Sequence, residues 1–156
     1  IRPAQVKHIT DQPSLAETER FLHEKIPLSL AMGVRLESYD GEVLVMTAPL
    51  EPNHNHLGTA FGGSLSALAT LAGYSLLWLR LENQNAHIVI RRSSIQYHYP
   101  VRGILRAVCE SPNEATLAAF KSQFAKKGKA RISLNVRIEE DGRVCVEFEG
   151  VFVALT

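Results

Sequence analysis

The sequence has 156 residues, a formal net charge of +1 and 21% charged residues, which is about the length of one ordinary domain. Its 46% hydrophobic share is enough for one sizeable core, and the 21% charged share excludes both a disordered tail and a membrane bundle. The near-zero net charge argues against a dedicated nucleic-acid binder, so an anionic ligand would have to be met by a local cluster of positive groups.

Residues 1–12 read as a loose leader and 13–156 as one domain. The start, Ile1-Arg2-Pro3-Ala4-Gln5, lacks the apolar stretch of a secretory signal. Ser14 and Glu17 form a capping-box pattern, after which Leu15, Thr18, Leu22 and Ile26 recur at helical spacing until Pro27 closes the helix. A turn over Leu28–Met32 leads to Gly33. Val34–Tyr39 and Val43–Pro49 read as strands joined by Asp40-Gly41, a type I′ turn pair. A polar loop from Glu51 to Ala60 then delivers the chain to Phe61-Gly62-Gly63 and a long apolar helix ending near Arg80.

The run Gly63–Leu79 is at the short edge of what a membrane span requires, about 17–25 residues. Ser64, Ser66, Thr70, Gly73 and Ser75 interrupt it, and amphipathic strands surround it, so it reads as a buried helix of a soluble, cytoplasmic protein with no membrane partner. The rest is largely β. His87–Tyr99 is a long strand stopped by Pro100, and Ile104–Glu110 is the next. Pro112-Asn113-Glu114 opens a helix through Leu117, Phe120 and Phe124. Arg131–Ile138 alternates cleanly, and Asp141-Gly142 makes a second type I′ hairpin into Val144–Leu155. Strands joined by tight turns are antiparallel, and a helix apolar nearly all round needs cover on most sides. A curved antiparallel sheet wrapped around the long helix, an α+β layout, meets both demands.

Cys109 and Cys145 lie in apolar strand stretches without a Cys or His at metal-ligand spacing. They read as small buried residues, and no metal site is expected.

The chemistry concentrates where the polar loop meets the helix. Two glycines at a helix start let a ligand approach the backbone. The first turn offers unpaired N–H groups at the positive end of the dipole, and such donors suit a thioester oxygen that becomes anionic during reaction. The same glycines could instead serve only tight packing.

The stretch Asn55-His56-Leu57-Gly58-Thr59-Ala60-Phe61-Gly62-Gly63-Ser64-Leu65 resembles the N-x-x-G-x-x-H-G-G signature of hotdog-fold acyl-CoA thioesterases. It is most similar to the thioesterase domain that follows a GNAT acetyltransferase domain in some bacterial proteins. Ser94–Gly103 and Phe148–Val153 resemble later segments of the same superfamily, so the resemblance covers roughly residues 15–155. It implies a hotdog fold, a homodimer or homotetramer, and an acyl thioester on coenzyme A or acyl carrier protein as substrate. No cofactor is implied beyond the coenzyme A or phosphopantetheine of the substrate. It implies that Asn55 positions water or the thioester, that Gly62 and Gly63 supply the oxyanion N–H groups, and that Gly58 and Phe61 lie against the substrate.

Two departures matter. Phe61 stands at the motif's histidine, and Thr70 stands where an acidic residue is expected further along the helix; no Asp or Glu occurs from Gly58 to Leu81. A threonine hydroxyl holds a water but is a poor base at neutral pH. His56, or His54, could take the proton instead, or both could be solvated loop residues. Ser64 and Ser66 would be nucleophiles only beside a base, and His98 reads as a structural or an interface residue. Arg91 and Arg92, adjacent in one strand, should point to opposite faces; they are candidates for a phosphate or pantetheine contact or plain surface residues. Lys126, Lys127, Lys129 and Arg131 form a basic patch that could attract coenzyme A phosphates or simply complement a helix C-terminus. The functional expectation is a thioester hydrolase. Alternatives are a malonyl-thioester decarboxylase, which needs an oxyanion site but no strong base, and a non-catalytic acyl-thioester binding module.

Overall fold

The computed structural model describes residues 14–83 and 85–156; the leader expected at 1–12 lies outside the described residues. Helix α1 (Leu15–Lys25) begins on the capping box its sequence encodes. The Ser14 hydroxyl accepts from the Glu17 N–H at 3.1 Å, and the Glu17 carboxylate accepts from the Ser14 N–H at 3.3 Å. Pro27 does more than close α1. It opens a short helix α2 (Pro27–Ala31), in a first-turn position where a missing N–H costs nothing.

Strands β1 (Arg35–Tyr39) and β2 (Val43–Ala48) follow, then a kinked turn α3 (Leu50–Asn53), broken at Glu51 (φ −88°, ψ 123°), within what reads as loop. Helix α4 (Gly62–Leu81), β3 (His87–Tyr97), β4 (Leu105–Glu110), α5 (Glu114–Lys127), β5 (Lys129–Glu140) and β6 (Arg143–Leu155) complete the chain. The six strands form one antiparallel sheet in the order β1-β2-β4-β5-β6-β3, wrapped around α4. This is the hotdog layout expected from the pattern of elements.

The two Asp-Gly turns differ. At Asp141-Gly142 both residues have positive φ, 52° and 74°, as a type I′ turn requires. At Asp40-Gly41 only Gly41 does, at 98°. There the Asp40 carboxylate accepts from the N–H groups of Glu42 (2.9 Å) and Val43 (2.7 Å), so a side-chain bond shapes the corner in place of the expected turn.

Helix α4 is buried along Leu65, Leu68, Ala69, Ala72, Leu76 and Leu77. It is long and apolar enough to cross a membrane, but 56% of its most apolar stretch is buried inside the fold. Gly73 allows the close approach to β6, because a Cβ there would stand 2.6 Å from the buried Phe152 ring. On another side, Phe21 of α1 stacks on Trp78, with ring centroids 4.6 Å apart. Helix α5 lies on the α4 side of the sheet. Leu117, Phe120 and Phe124 join the same core, and Arg80 of α4 donates to Glu114 (2.9 Å) and to the Gly41 carbonyl (2.7 Å). Cys109 and Cys145 are free and buried. Burial, and secondarily the neighbouring Glu110 charge, pushes the Cys109 thiol up to about 12.

Strand β3 carries a bulge between Ile90 and Arg92, which resets the alternation of its side chains. Ile88 is buried toward α4, and beyond the bulge Ile95 packs on the core. Arg91 and Arg92 therefore do not part to opposite faces. Both line one cavity with Arg131, Ser133 and Val151, on the face away from α4.

Candidate active site

Helix α4 starts without a side-chain cap. Phe61 occupies the N-cap position in extended backbone (φ −67°, ψ 133°) and its side chain gives no cap, and among the described residues no other side chain accepts from the first turn. The N–H groups of Gly62, Gly63 and Ser64 lack partners along the helix for geometric reasons, and among the described residues none donates to a loop carbonyl. Three bare donors thus share the positive end of a 20-residue helix.

Aromatic rings flank these donors. A Cβ on Gly63 would fall 2.4 Å from the Phe61 ring, so the missing side chain makes room for that ring. The Tyr97 ring lies about 3.6 Å from where a Gly62 Cβ would be, and its hydroxyl donates to the Gly62 carbonyl at 3.2 Å. Phe61 and Tyr97 are both about half exposed. Tyr97 went unnoticed in the sequence, where it reads as a flank of His98; the only signal is its place in a long strand ahead of Pro100.

The loop before the helix is braced from within. Asn53, 2% exposed, donates through its amide to the carbonyls of Met32 and Pro49, both at 2.8 Å. Its own carbonyl accepts from the Phe61 N–H at 2.7 Å, and the Ala60 N–H donates to Val101 at 2.8 Å. Asn53 was not singled out either, because nothing in a polar run of Asn and His marks which member is buried.

Asn55 folds into its own loop. Its amide donates to the Thr59 hydroxyl at 2.9 Å and accepts from the N–H groups of Leu57 (2.8 Å) and Thr59 (3.2 Å). Gly58 takes φ +79° at the exposed corner that results. His56 is exposed, and a His54 ring nitrogen lies 2.9 Å from the Asn55 carbonyl.

Thr70 is half-buried on the open stripe of α4 that runs Gly63, Ala67, Thr70, Tyr74. It stands roughly 10 Å along the axis from Gly63, at about 1.5 Å per residue. Its hydroxyl donates to the Ser66 carbonyl at 2.9 Å, leaving lone pairs for a water. Burial raises the Tyr74 phenol pKa at the end of this stripe. The structure thus gathers Phe61, Gly62, Gly63 and Tyr97 at the helix start, with Thr70 further along the same helix. It places Arg91 and Arg92 across the sheet from them. His98 pairs with Glu147 at 3.3 Å. Among the described residues, no group of three or more His, Cys, Asp or Glu side chains is placed to hold a metal ion.

A curved antiparallel sheet around a buried helix with an uncapped glycine start defines a hotdog protein of the thioesterase type. A family profile described as "Putative thioesterase (yiiD_Cterm)" matches residues 15–156, and the chain belongs to that family. A Chlorobaculum tepidum protein of unknown function is similar at 38% identity, with a TM-score of 0.84 over 90% of this chain and 93% of that one. A Shewanella oneidensis protein, described as a thioesterase in the same terms as the family, is 29% identical, with a TM-score of 0.81 over 91% and 97%. A Haemophilus influenzae thioesterase at 15% identity and TM-score 0.66, over 92% of each chain, shares the fold.

Proposed function

We propose that the chain hydrolyses acyl thioesters carried on coenzyme A or acyl carrier protein, with the α4 N-terminus as its oxyanion site, in a reduced cytoplasmic setting. The observation that carries this reading is the row of uncapped N–H groups at Gly62, Gly63 and Ser64. Water attacks the thioester carbonyl carbon, and the oxygen gains negative charge against these fixed donors. The tetrahedral intermediate then collapses, the C–S bond breaks, and the thiolate leaves with the proton that water gave up. Thr70, about 10 Å along α4 from Gly63, can accept a hydrogen bond from the attacking water where the thioester lies on the helix start of a second copy facing it. It cannot take the proton, so His56 is the candidate base from the adjoining loop. Asn55 serves by holding that loop in shape, and Gly58, Phe61 and Tyr97 flank the acyl group.

A second copy of the chain completes the site in this reading. Strand β3 ends the sheet, pairing among the described residues with β6 alone, and exposes Val89, Ile90 and Tyr97. An eleven-residue edge that is free among the described residues is a template for another strand. Pairing two copies through β3 brings the partner against the open stripe of α4.

Gly62→Pro tests the oxyanion role directly. It deletes one N–H at the first helical position, where proline is tolerated, and Phe61 already has the extended backbone a residue before proline needs. Assayed by thiol release from an acyl-CoA panel, kcat should fall by about 100- to 1,000-fold with the melting temperature held. An unchanged kcat rejects the site. The absence of any carboxylate from Gly58 to Leu81 favours one further reading, decarboxylation of a malonyl thioester to an enolate. Mass spectrometry of malonyl-CoA incubated with the protein separates the two: acetyl-CoA supports decarboxylation, and free malonate alone eliminates it. Thermal stabilisation by acyl-CoA with no turnover would identify a binding module instead.

A further inference from the structure

The sheet face away from α4 carries a cluster of positive charge to which the chemical steps above give no role. Arg91 and Arg92 sit at the β3 bulge. In the register, Arg92 faces Val151 of β6, and Val151 faces Ser133 of β5; Arg131 lies two residues before Ser133, on the same face. Arg91, Arg92, Arg131, Ile132, Ser133 and Val151 line a cavity of about 310 Å³. That is room for a phosphate group or a ribose phosphate rather than for a whole coenzyme.

The electrostatics of the cluster are unbalanced. Arg35, Arg80, Arg106 and Arg137 each reach an acidic side chain, and Arg143 stacks on Tyr99. Among the described residues, Arg91, Arg92 and Arg131 reach none. Glu149, the next outward-facing residue along β6 from Val151, forms no ion pair with them. Three like charges carried by residues around one cavity repel each other, and an anion between them relieves that repulsion. The bulge is what brings Arg91 and Arg92 to the same face, since a regular strand would send them apart. Guanidinium forks match the several oxygens of a phosphate better than a single-point contact would.

We propose that Arg91, Arg92 and Arg131, with the Ser133 hydroxyl, form a phosphate-binding site on the sheet face opposite α4. It is separate from the α4 N-terminus, so it stands or falls apart from the hydrolase reading. Its ligand is a phosphate group, either free or on the nucleotide portion of coenzyme A.

The test is calorimetric titration of the full chain at low salt with inorganic phosphate, coenzyme A and dephospho-coenzyme A. The site requires saturable binding that weakens as salt is added. Arg91→Ala/Arg92→Ala should weaken it at least tenfold and Arg131→Ala several-fold, with melting temperatures unchanged because the side chains are exposed. Lys126→Ala/Lys127→Ala, at the end of α5, should leave it intact. Coenzyme A binding at least tenfold tighter than dephospho-coenzyme A supports the site and assigns the nucleotide 3′-phosphate. Inorganic phosphate binding as well as coenzyme A supports it with the free ion as ligand. No saturable binding, or binding that the arginine variants leave unchanged, overturns it.

Discussion

Replacing Phe61 tests whether the first turn of α4 is held open, and two substitutions together isolate the effect. Phe61 is 56% exposed, so about 44% of its surface is covered. For a side chain that can bury about 200 Å², that is roughly 90 Å², or about 2 kcal/mol at about 25 cal/mol per Å². Phe61→Ala and Phe61→Ser both lose this contact. Only serine restores an N-cap acceptor, able to take the N–H of Gly63 or Ser64, which is worth about 1 kcal/mol relative to alanine. The serine variant should therefore melt about 2–4 °C above the alanine variant. It should also hydrolyse thioesters at least tenfold more slowly, because its hydroxyl competes with the developing oxyanion. Differential scanning calorimetry and a thiol-release assay on the two variants give both numbers. Equal melting temperatures would mean that the amides already have partners, and equal rates would mean that they take no part in the reaction.

Other perturbations probe the scaffold. Asn53→Ala strands the buried Met32 carbonyl and frees the Pro49 carbonyl, and it should cost about 2–4 kcal/mol, seen as a melting temperature about 5–15 °C lower. Gly73→Ala gains about 1 kcal/mol in helix propensity. It also drives a Cβ to 2.6 Å from the fully buried Phe152 ring, an overpacking of about 3 kcal/mol, so a net loss near 2 kcal/mol is expected by denaturant titration. Cys109, with its pKa pushed up to about 12 from 9.0, should resist a thiol reagent at pH 8 until the protein unfolds. The raised folded value means that the native state holds its proton longer than the unfolded chain. Stability from this group is thus full below pH 9.0 and declines as pH rises toward 12.

Much of the architecture was legible because several local signals agreed at each element. The β5 residues Ile132, Leu134, Val136 and Ile138 alternate, and all are buried. The capping box at Ser14 and the Asp141-Gly142 turn formed where they were read. What stayed hidden depended on partners distant in the chain. The β3 bulge is fixed by pairing with β6, and nothing in Ile90-Arg91-Arg92 announces it, so period-two reasoning put the arginines on opposite faces. Asp40-Gly41 has the same dipeptide as the second hairpin, yet the Asp40 carboxylate found two N–H donors and a different corner formed. The buried Asn of the polar loop was Asn53, chosen by carbonyls of Met32 and Pro49 that meet it only in the folded chain.

These details converge on how the chain keeps a helix start both rigid and unsatisfied. A serine or aspartate at position 61 would stabilise α4 locally, and the sequence places phenylalanine there instead. The stability lost at that cap is recovered a few residues upstream. Asn53 clamps the loop to Met32 and Pro49 and accepts from the Phe61 N–H, and the Ala60 N–H ties the loop to Val101. Each of these bonds fixes the position of the first turn without touching the N–H groups of Gly62, Gly63 or Ser64. A loop that only needed to join β2 to α4 could have capped the helix and dispensed with the bracing. Rigid support combined with bare donors is the arrangement a reaction needs when its charge appears only in the transition state, since donors that must first be released or reoriented would give back part of what they contribute.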